Sequence, residues 1–506
     1  MPPKILADQR LEPASASKER RRKEVQPRTL SLIFPVLQTR RNRHLGSLPR
    51  MEEGLMKRFS RREFLSFTTA TGATLLAACV AAPPTTSPQA EKPAKQPAAP
   101  QKATIELWTP HPLEDNIKIT SFVKDNYLSS HPDTDFKFTR VPSEWEQKFR
   151  TAAAGGTLPD MFAVDGINLP TFASRGLCAE LDELVVPKKV LEDFYPPALA
   201  EMQWRGKTYA TTIETNSQAL RINVDKMNQA GAQPPKTWDD LIAVGQKLTT
   251  DQKGKHPNEA EFDWNAVKQW AFETWCCLGE GSTWMILPWI WMNGGEVYDP
   301  GTKKVTIADP PAVKGIQFLK DLVHKYKIWP RAGVAQAGPE GTFYGQVVIM
   351  SATGAFDLAN LTVTRPPQFK WDIAQFPRPA DGRFISGVGG WLISANAKSP
   401  NLKQVLPFMT FTTSDTWQLH TSKYGYALTG RRSIAEQRLK EVPQLAVFLE
   451  AMKTGRARPR STQYPLITEA LQQAFDEAIF GDRSPEKALA DAAPKIADAL
   501  AKEEAE

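Results

Sequence analysis

The sequence predicts an α/β body in two lobes, on three observations. Strand-like and helix-like patterns alternate from residue 104 onward. About 400 residues follow a polar linker, too many for one core and suited to two. The excess charge, finally, sits outside that body. The chain has 506 residues, with 63 Lys and Arg against 56 Asp and Glu, a net +7. Residues 1–78 carry a net +9 and residues 79–506 a net −2. A near-neutral body lacks the basic phosphate-contacting surface on which nucleic-acid binding rests. Its chain, 41% hydrophobic, has ample material for a core.

The elements follow in order. Residues 104–109 alternate apolar and polar, a first strand, and a helix is predicted over 113–129, ending before His131-Pro132. Residues 135–141 alternate again. Ser143-Glu144-Trp145-Glu146 reads as a capping box opening a helix toward Gly155-Gly156, and 159–165 as a short buried strand. Strand, helix, strand, helix, strand indicates a parallel sheet covered by helices. Two alternating stretches lie within 206–213 and 218–224. Thr237 caps the next helix, with Asp240 completing the box. Val313, Ile316, Leu319, Leu322, Val323 and Tyr326 share one helical face. Residues 347–351, 371–376 and 390–394 read as strands. From Leu402 the pattern is mostly helical, with breaks near Gly425 and Pro465.

The leader has its own order. Residues 1–50 are basic and aperiodic, and Met51 or Met56 is a natural start, so 1–50 is read as the product of a misplaced start. A basic segment, a short apolar run over 67–78 and small residues before Cys79 describe an export signal. The run is too short to span a membrane. Ser60-Arg61-Arg62-Glu63-Phe64-Leu65 resembles a twin-arginine signal, with Ser66 in place of the usual Lys. Leu76-Ala77-Ala78-Cys79 resembles a bacterial lipobox, which implies lipidation of Cys79. An ordinary secretory signal stays open beside the twin-arginine reading. Residues 79–103 are rich in Pro, Ala and Thr and form a tether.

Of four cysteines, Cys178, Cys276 and Cys277 remain in the body, without metal-site spacing. They are read as thiols, with a Cys276-Cys277 bridge or a bond to Cys178 as the alternatives. Catalytic motifs fail. Gly206-Lys207-Thr208 lacks the phosphate-loop Gly at 201, and Gly279-x-Gly281 lacks its third Gly at 284. No nucleophile elbow and no metal or cofactor motif is present. Aromatic residues carry the positive signal. All 14 Trp lie in the body, six of them within 264–291. Flat aromatic faces stack on sugar C–H faces, although most of these Trp are expected in the core.

Several runs together resemble the extracellular solute-binding proteins of ABC importers, the sugar-binding family that includes maltose-binding protein. They are Ile105-Glu106-Leu107-Trp108; residues 154–165; Gly176-Leu177-Cys178-Ala179-Glu180-Leu181-Asp182; residues 220–227; Ala230-Gly231-Ala232 with the Thr237 helix start; Asn293-Gly294-Gly295; Met350-Ser351-Ala352-Thr353-Gly354; and Gly389-Gly390-Trp391-Leu392-Ile393. The resemblance covers about 104–480 and implies a class II-like periplasmic-binding-protein fold with a hinge and an interlobe ligand cleft. It places the N-terminal lobe at 104–213 plus 346–376 and the C-terminal lobe at 214–345 plus 377–506, with crossings near 210–216, 340–346 and 374–380.

Carried onto this chain, the resemblance gives Thr109, His111, Trp145, Asp165, Trp284, Phe356, Trp391 and Arg431 as ligand-binding residues. Phe356 stands where the family often has Trp. The function implied is a monomeric, exported, lipid-anchored protein that is not an enzyme. It captures a small solute, a sugar or oligosaccharide, and delivers it to an ABC permease. A glycan-degrading surface lipoprotein, which needs two cleft carboxylates, and a peptide- or polyamine-binding protein on the same fold, the polyamine form wanting several, are the alternatives.

Overall fold

The computed structural model describes residues 102–142, 144–276, 279–331, 342–426 and 428–505. The leader, Arg61, Arg62, Cys79 and the linker up to residue 101 lie outside the described residues.

Two five-stranded sheets organise the body. The first runs Thr134–Arg140, Ala103–Thr109, Met161–Asp165, Trp391–Ala395, Thr211–Thr212. Its first three strands are parallel, and Trp391–Ala395 enters antiparallel between Met161–Asp165 and Thr211–Thr212. The second runs Trp371–Ala374, Gln218–Asn223, Val348–Gly354, Val267–Glu273, Thr250–Asp251. Each sheet anchors its own lobe. Helices Ile119–Asn126 and Leu402–Thr412 bury Phe122, Val123, Phe408 and Met409 against the first. Helices Glu280–Trp291, Pro310–His324, Tyr464–Ile479 and Pro485–Ala505 pack on the second. The predicted face of Pro310–His324 is buried at Val313, Ile316, Leu319, Leu322 and Val323.

The lobe boundaries differ from the expectation. Strands Val348–Gly354 and Trp371–Ala374 flank Gln218–Asn223 in the second sheet, so 346–376 does not complete the first lobe. Trp391–Ala395, expected in the second lobe, is central to the first sheet. Alternation identifies a strand but not its neighbours, which are fixed by long-range pairing. Val267–Glu273 and Val348–Gly354, which flank the crossing expected near 340–346, pair within one sheet. The chain passes between sheets over 213–217 and 375–390, and between the packed helices Leu445–Lys453 and Tyr464–Ile479 over 454–463.

Local chemistry accounts for other details. The helix predicted over 113–129 is two pieces, Leu113–Ile117 and Ile119–Asn126, broken where Lys118 takes a left-handed φ of 52°. The helix Trp145–Gly155 starts after Glu144, left-handed at φ 51°, without a side-chain cap; Ser143 lies outside the described residues. The box at Thr237 forms as predicted: Asp240 N donates to Thr237 Oγ1 at 3.1 Å and Thr237 N to Asp240 Oδ2 at 2.9 Å. Pro465 sits in the first turn of Tyr464–Ile479, where its missing N–H costs nothing, instead of marking a break. Cys276 is disulfide-bonded, which corrects the thiol reading, whereas Cys178 is a buried free thiol. No helix among the described residues is long and apolar enough to cross a membrane.

One buried ion pair ties the second sheet together. Arg221, 1% exposed on the inner strand Gln218–Asn223, donates to Asp357 at 2.6 Å and to Ser351 Oγ at 3.2 Å, with its guanidinium 4.6 Å from the Phe343 ring centre. Removing one member of such a pair leaves a charge in low dielectric. Asp357→Ala is therefore expected to lower the unfolding free energy by about 3–5 kcal/mol. Exchanging both members, as Arg221→Met with Asp357→Leu, should recover most of that loss. Urea denaturation reads both; a double variant as unstable as the single one would contradict this account.

Candidate functional site

The three crossings meet at one place and are bonded to one another there. Asn216 N donates to Gly389 O at 2.7 Å, and Gly389 N returns a bond to Asn216 O at 3.1 Å. Gly387 and Val388 pair in parallel with Arg456 and Ala457. Glu214 N donates to Trp391 O, and Gly166 N to Gly390 O, both at 3.1 Å. Such close approach explains the glycines. A Cβ on Gly390 would stand 2.2 Å from the Glu214 carbonyl oxygen, and one on Gly389 would stand 2.7 Å from an Arg458 nitrogen.

Above this junction lies a cavity of about 240 Å³ with walls from both lobes. The first sheet contributes Asp165 and Trp391, which face each other in register on adjacent strands. From the second lobe come Trp275, Glu280 and Trp284, with Phe356 just past the end of Val348–Gly354. Crossing residues Glu214, Asn216, Gly389, Gly390 and Arg458 complete it. A wider groove of about 510 Å³ near Trp238 and Phe318 belongs to the second lobe alone and gathers none of these groups.

Arg458 is the electrostatic centre. It is 4% exposed and donates to Asp165 Oδ1 at 2.7 Å and to Glu280 Oε1 at 2.8 Å. Although burial opposes its charge, Asp165 and Glu280 hold its acidity well below that of an ordinary guanidinium. Glu280 opens the helix Glu280–Trp291, where the N-terminal dipole favours a carboxylate. It also accepts from Tyr464 Oη at 2.6 Å and Thr468 Oγ1 at 2.5 Å. Trp284 follows one turn later on the same helical face. Glu214 is different: it is 4% exposed and its Oε2 has no hydrogen-bond partner among the described residues. Burial raises its carboxyl to about 8, against a hydrogen bond from Asn216 and with help from Asp165. Behind the cavity, burial raises Glu201 to about 7, with Arg458 and Arg460 opposing. The indole N–H groups of Trp275 and Trp284 are also buried without partners among the described residues.

Four of the eight expected ligand residues line this cavity: Asp165, Trp284, Phe356 and Trp391. His111 stands behind the wall, edge-on to Trp391 with ring centres 4.6 Å apart. Burial, aided by Arg140, lowers it to about 4, which keeps it neutral. Thr109 is fully buried, and its Oγ1 accepts from His111 N at 3.0 Å. Trp145 packs at 5.8 Å on Phe149 inside the first lobe. Arg431 is held by Asp193 at 3.0 Å and Asp415 at 2.6 Å, away from the cavity. Thr109, His111, Trp145 and Arg431 thus stand outside the lining of this cavity.

Glu214, Asn216, Trp275, Glu280 and Arg458 were missed. Signals for two of them exist in the chain. Glu214 is the lone charge between Lys207 and Arg221, and Glu280 precedes Trp284 by one helical turn. Arg458 carries no local mark that separates it from Arg431.

A family model described as "Bacterial extracellular solute-binding protein" matches residues 124–447. A putative binding protein of Brucella abortus is 23% identical over 394 residues, covering 75% of this chain and 89% of that one. The cyclic alpha-maltosyl-1,6-maltose binding protein of Arthrobacter globiformis superposes with TM-score 0.66 at 23% identity, covering 80% of this chain and 100% of its own. An ABC transporter solute-binding protein of Thermotoga lettingae, bound with alpha-D-tagatose, gives TM-score 0.68 at 22% identity, covering 79% of this chain and 100% of its own. These two likenesses establish the fold.

The Glu214 carboxyl ties stability to pH. Its folded value, about 8, lies above the 4.5 of a free glutamate, so across that window the folded state keeps a proton the unfolded state has lost. Its contribution is complete in acid and is lost as pH rises through the window. Glu214→Gln removes that dependence. The unfolding free energy of the variant relative to the parent should therefore rise by roughly 1 kcal/mol per pH unit between about pH 5 and 7. Parallel stability profiles from urea denaturation would show that Glu214 is ionised in the folded state.

Proposed function

The chain belongs to the bacterial extracellular solute-binding proteins, and from that premise we propose that it captures a sugar or short oligosaccharide in the interlobe cavity for an ABC permease. It is a solute-binding protein of an ABC transporter with an extracytoplasmic place of work. One observation carries the sugar reading. The aromatic-walled cavity holds a carboxyl oxygen, Glu214 Oε2, and two indole N–H groups, on Trp275 and Trp284, all buried and without partners among the described residues. A polyhydroxylated ring supplies donors and acceptors together and presents C–H faces to Trp284, Phe356 and Trp391. The Arthrobacter and Thermotoga proteins, with carbohydrate ligands on the same fold, support this reading. Closure of the two lobes on the ligand then selects the form the permease meets.

The same reading makes the protein monomeric, without catalysis or cofactor. It is exported by the arginine-pair signal at Arg61 and Arg62 and anchored through lipid on Cys79, with the tether holding the body off the membrane. The glycan-degrading alternative draws on Glu214 and Asp165, two cleft carboxyls in unlike environments.

Two experiments test this. Sugars from hexoses to maltotriose should raise the melting temperature, and Trp284→Ala should weaken the bound one by about 10- to 100-fold, the range for a buried aromatic anchor. A panel without any stabilising sugar removes the reading, and hydrolysis of the sugar assigns the alternative. Separately, Cys79→Ser should release the protein from the membrane fraction; retention there would remove the lipid anchor.

A further inference from the structure

The charges around the cavity do not balance. Among the described residues Arg458 is the one cation lining it, and both of its terminal nitrogens are already engaged, one by Asp165 and one by Glu280. Glu280 is further satisfied by Tyr464 and Thr468. Glu214 is the third carboxyl of the lining, near enough to Asp165 to feel its charge and with no cation to answer it. Behind the Gly166–Gly390 contact, the Glu201 carboxyl adds a fourth acid, faced by Arg458 and Arg460. A buried carboxyl is stable when paired with a cation or when it keeps its proton. Trp275, Trp284, Phe356 and Trp391 line the same cavity as this acid. Aromatic faces beside an uncompensated carboxyl are the chemistry that recognises an organic cation.

We propose that the ligand is a sugar bearing an ammonium group, an amino sugar, whose cation sits between Glu214 and Asp165 against the tryptophan faces. This rests on the sugar reading above and narrows it. The ammonium N–H groups donate to Glu214 Oε2, the oxygen that lacks a partner, and its charge supplies the missing cation. Binding then carries a proton with it. The neutral Glu214 carboxyl breaks its O–H bond, the proton leaves to solvent, and the carboxylate pairs with the ligand ammonium. Asp165, Glu280, Arg458 and Glu201 are the charged groups that face this exchange.

Isothermal titration calorimetry of the purified protein tests it with glucosamine, galactosamine and mannosamine, each beside its N-acetyl form and its parent hexose. At least one amine is expected to bind about tenfold or more tightly than its own N-acetyl form. In Glu214→Gln that ratio should fall toward one. With the parent protein at pH 6.5, buffers of different ionisation enthalpy should report release of nearly one proton with the amine and none with the hexose. If no amine outbinds its N-acetyl match, or no proton is released, this inference falls. Tight hexose binding alongside either result leaves the sugar reading standing. If no sugar of any kind binds, the sugar reading falls and takes this one with it, even where spermidine binds.

Discussion

One buried guanidinium bonds to both lobes. Arg458 reaches Asp165 at the end of a first-lobe strand and Glu280 at the start of a second-lobe helix. A buried arginine is costly unless its hydrogen bonds are met with good geometry. Here it receives one carboxylate from each lobe, so neither lobe alone satisfies it. The adjacent glycines follow from the same constraint, since Gly389 leaves the space that an Arg458 nitrogen fills. Trp284 depends on it indirectly, because Glu280 fixes the first turn of the helix that carries the ring.

Rigidity behind the cavity comes from the second lobe. The helix Glu280–Trp291 is buried on nearly every side. Trp289 packs between Trp238, Phe318 and Phe376 with ring centres 5.7–5.9 Å apart. Offset aromatic packing of this kind adds to simple area burial and leaves few alternative rotamers. The wall bearing Trp284 is therefore a fixed surface. The crossings beside it are bonded to one another, Asn216 to Gly389 and Gly387–Val388 to Arg456–Ala457.

The sequence reveals most where the physics is local. Thr237 and Asp240 meet as predicted because a capping box needs only residues three apart. Asp165 and Trp391 both reach the cavity from the end and the start of short apolar strands recognisable in the chain. Where pairing is long-range, the pattern falls silent. Nothing in residues 348–354 says that their neighbour is 218–223 instead of 161–165, and the lobe assignment of 346–376 went astray for that reason. Arg431 and Arg458 look alike in the chain. One is answered by Asp193 and Asp415 at the lobe surface, the other by acids 293 and 178 residues away. Most of the clustered tryptophans are core, as expected, yet Trp275 lines the cavity beside the disulfide-bonded Cys276.

The position of Arg458 also has a temporal meaning. Every strand of both main sheets lies before residue 396, whereas the guanidinium that joins the lobes comes 62 residues later than Asn396 and precedes the last two helices. A chain emerging from its N-terminus thus completes each sheet while the junction is still without its cation. The bond to both lobes is thus laid down in the chain after every strand of either sheet, so a chain ending at Asn396 would contain all ten strands and lack the guanidinium that Asp165 and Glu280 share.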